Sequence, residues 1–171
     1  VLLLLLHIAF CHLLLKLFKH KLDSPNTNIE LYLNFIKNIP LLTIKNKSDP
    51  LLEASFERIN NQFLSNSVEK TNLQWGQQAF RKLAHYNFHN DTITISAIFK
   101  DSPQLILDYI MYHEMLHKYH RFQQNKGRFS YHSRQFREDE ARYPAQKQIE
   151  REIELIIKNK KRNQRTGLWR F

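Results

Sequence analysis

Hydrophobic residues change their spacing several times along the chain, and each change marks an element. Val1 to Leu15 is almost unbroken apolar sequence, interrupted by His7 and His12. At about 15 residues it falls short of the ~20 that a membrane-spanning helix needs. It lacks the positive leading region and small-residue cleavage site of a secretion signal, and Phe10 is too bulky for a lipoprotein box at Ile8-Ala9-Phe10-Cys11. Lys16, Lys19 and Lys21 follow, a pattern that suits a hydrophobic helix touching a membrane surface. Asp23 to Asn28 is turn-rich linker, Ile29 to Asn38 predicts a short helix, and Pro40 to Pro50 a loop.

From Asp49 the spacing becomes regular. Asp49 is a good N-cap and Pro50 suits a first helical position, while Leu52, Phe56, Ile59 and Phe63 recur on one helical face. Between Thr71 and Ser96 the period shortens to two: Leu73 and Trp75 alternate with polar residues, and Thr92-Ile93-Thr94-Ile95-Ser96 alternates isoleucine with hydroxyls after a turn at Asn90-Asp91. This predicts a small antiparallel sheet of two to four strands. Ser102 and Pro103 then open a helix as N-cap and first residue. From Leu105 to Tyr112 its only charge is Asp108, so it is apolar on most faces and central. Gln123 to Arg128, with Gly127, marks an exit. A short helix spans Ser133 to Arg142, and Pro144 begins a last one striped by Ile149, Ile153 and Ile156. The pattern as a whole is α+β, a small antiparallel sheet packed on a central helix with flanking helices. No internal repeat is present.

Candidate chemistry lies on the central helix, which reads His113-Glu114-Met115-Leu116-His117, an H-E-x-x-H motif. Four residues is about one helical turn, so His113 and His117 share a face, ~6 Å apart along the axis. Two imidazoles so placed can bind one Zn²⁺ ion. Glu114 sits too far round the helix to join them and is placed to take a proton from a water polarised by the metal. A catalytic site needs a third protein ligand. His120 is near the same face but rises ~4.5 Å further along the axis than His117. The acidic run Glu138-Asp139-Glu140 could supply a carboxylate, although such runs are usually solvated. His132 lies beyond the Gly127 loop, where the chain can fold back over the metal, and is the preferred ligand. His85 and His89 read as packing or surface residues, Tyr109, Tyr112 and Tyr119 as core or rim aromatics, and Phe136 as the anchor of the helix behind His132.

Charge and cysteine content narrow the context. The 171 residues, 42% of them hydrophobic, suit one domain with one core. The net charge of +10 sits at the ends: outside 1–22 and 158–171 there remain 17 basic against 16 acidic residues. Basic ends are compatible with a polyanion such as nucleic acid or an anionic membrane, or serve as solubilising tails. Cys11 is the single cysteine, so no internal disulfide and no multi-cysteine zinc site can form within the chain, and a cytoplasmic location is the default.

His113-Glu114-x-x-His117, followed by His132-x-x-x-Phe136, resembles the SprT-like zinc metallopeptidases, which include the Spartan-type proteases acting on DNA–protein crosslinks. The likeness covers about residues 51–157. It extends upstream through a helix like 50–64 and the stretch His85-Tyr86-Asn87-Phe88 to Ser96. The resemblance implies a zincin-like fold, Zn²⁺ held by His113, His117 and His132, Glu114 as general base, and hydrolysis of a polypeptide substrate. Thr92–Ser96 then either takes the role of an edge strand pairing with extended substrate or is a plain structural strand. Tyr131, Tyr143, His120 and Arg128 are the candidates to steady the oxyanion. Two departures stand out: Ser133 replaces a glycine common after the third histidine, and no cysteine-rich zinc ribbon is present. The metzincin pattern fails, because position 120 is His and position 123 is Gln. The expected organisation is a hydrophobic and basic segment at 1–22, a linker and short helix at 23–50, a metallopeptidase domain at 51–157 and a basic tail at 158–171. Three rival settings remain: a DNA-associated protease using the tail, a membrane-tethered peptidase using 1–22, and a non-catalytic zinc-stabilised binding module.

Overall fold

The computed structural model describes residues 42–120, 123–125, 128–130 and 132–167, together with Leu31, Asn34, Phe35, Asn38 and Pro40. The apolar block 1–15, its flanking lysines and the 23–28 linker lie outside the described residues. Two compact units are present, Val1–Asn38 and Ile39–Phe171. In the first, Leu31, Asn34, Phe35 and Asn38 have helical backbone, and Asn38 Nδ2 donates to the Asn34 carbonyl at 2.9 Å. The remaining elements belong to the second.

Helix α1 (Pro50–Phe63) starts where its cap predicts. The Asp49 carboxylate accepts from the Leu51 and Leu52 N–H groups at 3.0 and 3.4 Å, and Leu52, Phe56 and Ile59 point into the core. Strands β1 (Asn72–Gly76), β2 (Ala84–Asn87) and β3 (Thr92–Ser96) form one sheet in the order β1-β3-β2. The sheet is mixed rather than antiparallel: β1 runs parallel to β3, with Leu73 opposite Ile93, and β2 runs antiparallel to it, with Tyr86 opposite Ile93. Alternation of side chains reports a half-buried strand but carries no information on direction. Direction is set by the 77–83 connection, which carries the chain past the far side of the β3 position. Ser96 Oγ secures that connection, accepting from the Ala79 N–H at 2.9 Å and lying 3.2 Å from the Gln77 carbonyl. Thr92–Ser96, expected at an edge, is therefore the central strand, paired on both sides, and the edges are β1 and β2.

A 3₁₀ turn, Ala97–Phe99, leads to α2 (Gln104–His120). The helix begins just after the expected cap: the Ser102 N–H closes the preceding turn on the Phe99 carbonyl at 3.1 Å, and Ile106 and Leu107 bond to the Pro103 carbonyl. Helix α2 is buried on nearly every side, by Ile106, Ile110, Met111, Tyr112, Met115 and Leu116 among others, which explains its nearly continuous apolar sequence. Its one early charge is compensated: Asp108 accepts from Ser55 Oγ at 2.6 Å and from Arg58 at 2.8 and 3.1 Å, both on α1.

After α2 a two-stranded hairpin, β4 (Gln123–Asn125) and β5 (Arg128–Ser130), replaces the expected plain loop. Neither strand shows a β-branched alternating pattern, so periodicity could not reveal it. Helix α3 (Arg134–Glu140) follows, capped by Ser133, whose Oγ accepts from the Phe136 N–H at 3.2 Å. Ser133 has φ −64°, so this turn does not require the glycine common in the resembling family. Helix α4 (Gln146–Gly167) closes the fold with Ile149 and Ile153 inward, and residues 158–167, set apart as a tail by their charge, continue it. The class is α+β, with a small sheet packed on the helix that carries the H-E-x-x-H motif and helices on its flanks. Among the described residues no helix is long and apolar enough to cross a membrane.

Candidate metal centre and cleft

Two segments far apart in sequence meet at one end of α2. His113 and His117 leave the helix one turn apart, with ring centroids 5.0 Å from each other. The β4–β5 hairpin turns the chain back so that His132 arrives opposite them, its ring 5.3 Å from His113 and 4.9 Å from His117. One ligand nitrogen from each residue lies within 4.8 Å of the others, and among the described residues no further His, Cys, Asp or Glu joins this group. Phe136, fully buried, is the floor beneath all three: its ring centroid is 5.3, 4.8 and 4.7 Å from those of His113, His117 and His132.

One pair of nitrogens has the spacing of two ligands on a tetrahedral ion. Two ligands each about 2.05 Å from such an ion stand about 3.3 Å apart. His117 Nε2 and His132 Nε2 are 3.3 Å apart. A metal also requires neutral imidazoles. Burial, with the charges of His113 and His132, holds His117 down at about 3, and burial followed by the His113 charge lowers His132 as well. His113 behaves differently. Burial opposes its protonation, but the hydrogen bond to Glu140 and the charges of Glu114 and Glu140 outweigh that and raise it.

Glu140 belongs to the acidic run that reads from sequence as a solvated face. In the fold its Oε1 lies 2.6 Å from His113 Nδ1. Burial alone would raise the Glu140 carboxyl, yet the bond from His113 and that residue's charge bring it below the ordinary range. Accepting from Nδ1–H leaves Nε2 of His113 as the free donor atom. Tyr109, on the same face of α2, places its hydroxyl 3.3 Å from Glu140 Oε1 and donates to Glu150 of α4 at 2.9 Å. Asp139 is also engaged, with Oδ2 2.8 Å from His120 Nε2 and Oδ1 2.7 Å from Arg142. His120 thus lies beside Asp139 of α3 and does not join the three-histidine group, as its extra rise along the helix suggested.

Glu114 points the other way round α2, toward the sheet. It is buried, its carboxylate accepts from the Tyr86 backbone N–H of β2, and Oε2 has no hydrogen-bond partner among the described residues. Burial pushes its carboxyl up to about 7 against the opposing pull of His113, the Tyr86 N–H and Lys82. An acid with this environment is poised to exchange protons near neutral pH. The Tyr86 contact was hidden in the sequence, because a main-chain donor leaves no residue-type signal.

His113 and Glu114 line one end of a cavity of about 580 Å³. Leu83 just before β2, Ala84 of β2, Ile110 from α2, and Ile153 and Ile157 from α4 supply its apolar walls, and Arg81, Lys82, Glu150 and Glu154 add charge to the lining. Of the four residues considered for the oxyanion, Tyr143 is stacked in the core on Phe63 and directs its hydroxyl to the Leu105 carbonyl at 3.4 Å, and His120 lies beside Asp139 on the α3 side. Tyr131 and the Arg128 side chain lie outside the described residues. His85 is half-buried on β2 and His89 sits in the turn beyond it.

No protein-family model matches the chain, and no curated protein matches it. Among solved structures the chain is similar to the crystal structure of the metallopeptidase zymogen jannalysin of Methanocaldococcus jannaschii, at 23% identity and a TM-score of 0.47, over 68% of this chain and 94% of that one.

Proposed function

We propose that this chain is a zinc-dependent metallopeptidase, similar to the SprT-like family in its motif pair, that hydrolyses peptide bonds with Glu114 as general base. The observation that carries this reading is the meeting of His113, His117 and His132 at ligand spacing, next to a buried carboxylate that opens onto a cleft. When bound, the ion supplies Lewis-acid polarisation of the scissile carbonyl and lowers the pKa of water toward ~7. Glu114 accepts the proton of the attacking water and returns it to the departing amine, one group serving both steps. Its raised pKa favours the return, and the Tyr86 N–H fixes its orientation. His113, His117 and His132 would hold the ion and would leave it one position for water, the feature by which this reading differs from a closed, purely structural zinc module.

The substrate-pairing role expected for Thr92–Ser96 passes to β2. Its Tyr86 N–H points away from β3 to Glu114, and by the alternation of antiparallel strands the main-chain groups of Ala84 face the same way, into the cleft. The apolar walls suit a polypeptide presenting an aliphatic or aromatic side chain. Metal analysis combined with casein hydrolysis by wild type and Glu114→Gln tests the assignment. A second variant probes the support of the first ligand. Glu140→Gln keeps the shape but loses the carboxylate at His113, and lowers zinc affinity by about 10–100-fold in a chelator competition.

One observation favours a nucleic-acid-associated version of the same chemistry. Lys158, Lys160, Lys161 and Arg162 ride on α4, with Lys161 Nζ 5.8 Å from the Phe80 ring centroid and Lys100 Nζ 5.8 Å from that of Trp75. Cations interleaved with aromatic faces suit a polyanionic strand. Reversing Lys158 and Lys161 to Glu then makes DNA binding less sensitive to salt, the logarithmic slope falling by about one for each phosphate no longer neutralised, while casein hydrolysis stays unchanged.

A further inference from the structure

A second polar cluster lies one helical turn beyond the base, on the sheet side of α2, and the proposed chemistry makes no use of it. Its centre is Asp91, fully buried in the turn between β2 and β3 and held at φ 44°, a left-handed conformation uncommon for a residue other than glycine. Tyr86 Oη donates to Asp91 Oδ1 at 2.6 Å. Lys118 Nζ lies 3.0 Å from the same carboxylate and donates to the Glu69 carbonyl at 2.8 Å, and Lys45 also pairs with Asp91. The Asp91 carbonyl accepts from the Asn72 N–H of β1 at 2.9 Å.

Glu114 and Lys118 are four residues apart, hence on one face of α2 and ~6 Å apart along the axis. Tyr86 meets both: its backbone N–H bonds Glu114, and its hydroxyl reaches Lys118 through Asp91. One residue of the edge strand is thus held to the active helix at two points a turn apart. Two points fix a line where one would leave a pivot. Burying an aspartate and a lysine contributes little net stability, since well-packed apolar residues serve as well; what such a network supplies is a single geometry.

We propose that Tyr86, Asp91 and Lys118 form a positioning clamp that fixes edge strand β2 against α2, so that its outer main-chain groups meet an extended polypeptide in one register relative to Glu114. The substrate half of this statement rests on the peptidase reading; the clamp itself does not.

The test uses the full chain and Tyr86→Phe, which keeps the ring and its edge contact with Phe88 and removes only the hydroxyl. Amide hydrogen exchange at Tyr86, whose N–H bonds Glu114, accelerates by about tenfold or more, while amides linking β1 and β3 stay within about twofold. Lys118→Met reproduces the pattern without touching Tyr86. In peptide assays KM rises more than kcat falls, and more for long substrates than for short ones. Unchanged exchange at Tyr86, or equal acceleration throughout the sheet, overturns the clamp. A loosened β2 with no change in KM for long peptides overturns its role in presenting substrate. Exchange is read without turnover, so a chain that cleaves no peptide refutes the peptidase reading and leaves the clamp to be judged by exchange alone.

Discussion

Glu114→Gln loses peptide hydrolysis by at least about 10²–10⁴-fold in kcat and keeps its full complement of zinc. The three imidazoles are untouched by the change, and the amide is nearly isosteric with the carboxylate it replaces. Only the ability to accept a proton disappears. A variant that retained wild-type proteolysis would discard the mechanism, and one that lost zinc as well would show Glu114 to be a ligand.

The same variant carries a signature in the metal-free protein. Burial raises the folded-state pKa of Glu114 from 4.5 to about 7. Below the unfolded value both states hold the proton and no penalty arises. Between the two values the unfolded chain ionises first, so the folded state binds more protons and stability falls as pH rises. Above about 7 the loss levels off, at roughly 3–3.5 kcal/mol at most. Glu114→Gln removes this dependence, and metal-free thermal melts at pH 8 show the variant more stable than wild type, with the difference vanishing toward pH 4.

His117→Ala abolishes stoichiometric zinc binding and, with it, the stabilisation that zinc confers. Ligand at 100 to 1,000 times its dissociation constant stabilises by about 2.7–4.1 kcal/mol, which for a chain of this size is roughly 5–16 °C in Tm. Wild type shows that rise on titration with zinc and the variant does not. His117 is the most telling of the three positions. Its ring centroid is 5.0 Å from that of His113 and 4.9 Å from that of His132, both a little shorter than the 5.3 Å between those two, and burial keeps it neutral and ready to ligate. A zinc-dependent rise in Tm that survived in His117→Ala would place the ion elsewhere.

Much of this was legible in the order of residues, and what was not shares a physical cause. Helix α1 announced itself through its cap and a 3.6-residue period, and α2 through a long, nearly uncharged apolar run after Ser102-Pro103, because those signals are local and written in side chains. The pair His113 and His117 is local in the same sense: one helix sets their spacing whatever surrounds it. The choice of His132 over His120 and the acidic run rested on chain geometry and on resemblance to a known motif. Strand order was not legible, since alternation is identical in a parallel and an antiparallel strand and in a central and an edge one.

Sequence alone therefore determined the helix carrying the motif, the mutual placement of His113, Glu114 and His117, the two alternating strand stretches at Leu73–Trp75 and Thr92–Ser96, and the excess of positive charge at the ends. Tertiary structure decided everything that depends on a partner distant along the chain. It made Thr92–Ser96 the centre of the sheet and gave the edge to Ala84–Asn87. It drew Glu140 out of an apparently solvated run to hold His113, and it brought the Tyr86 N–H to Glu114. Such contacts join backbone groups and long-range pairs, and neither leaves a periodic trace in the residues that make them.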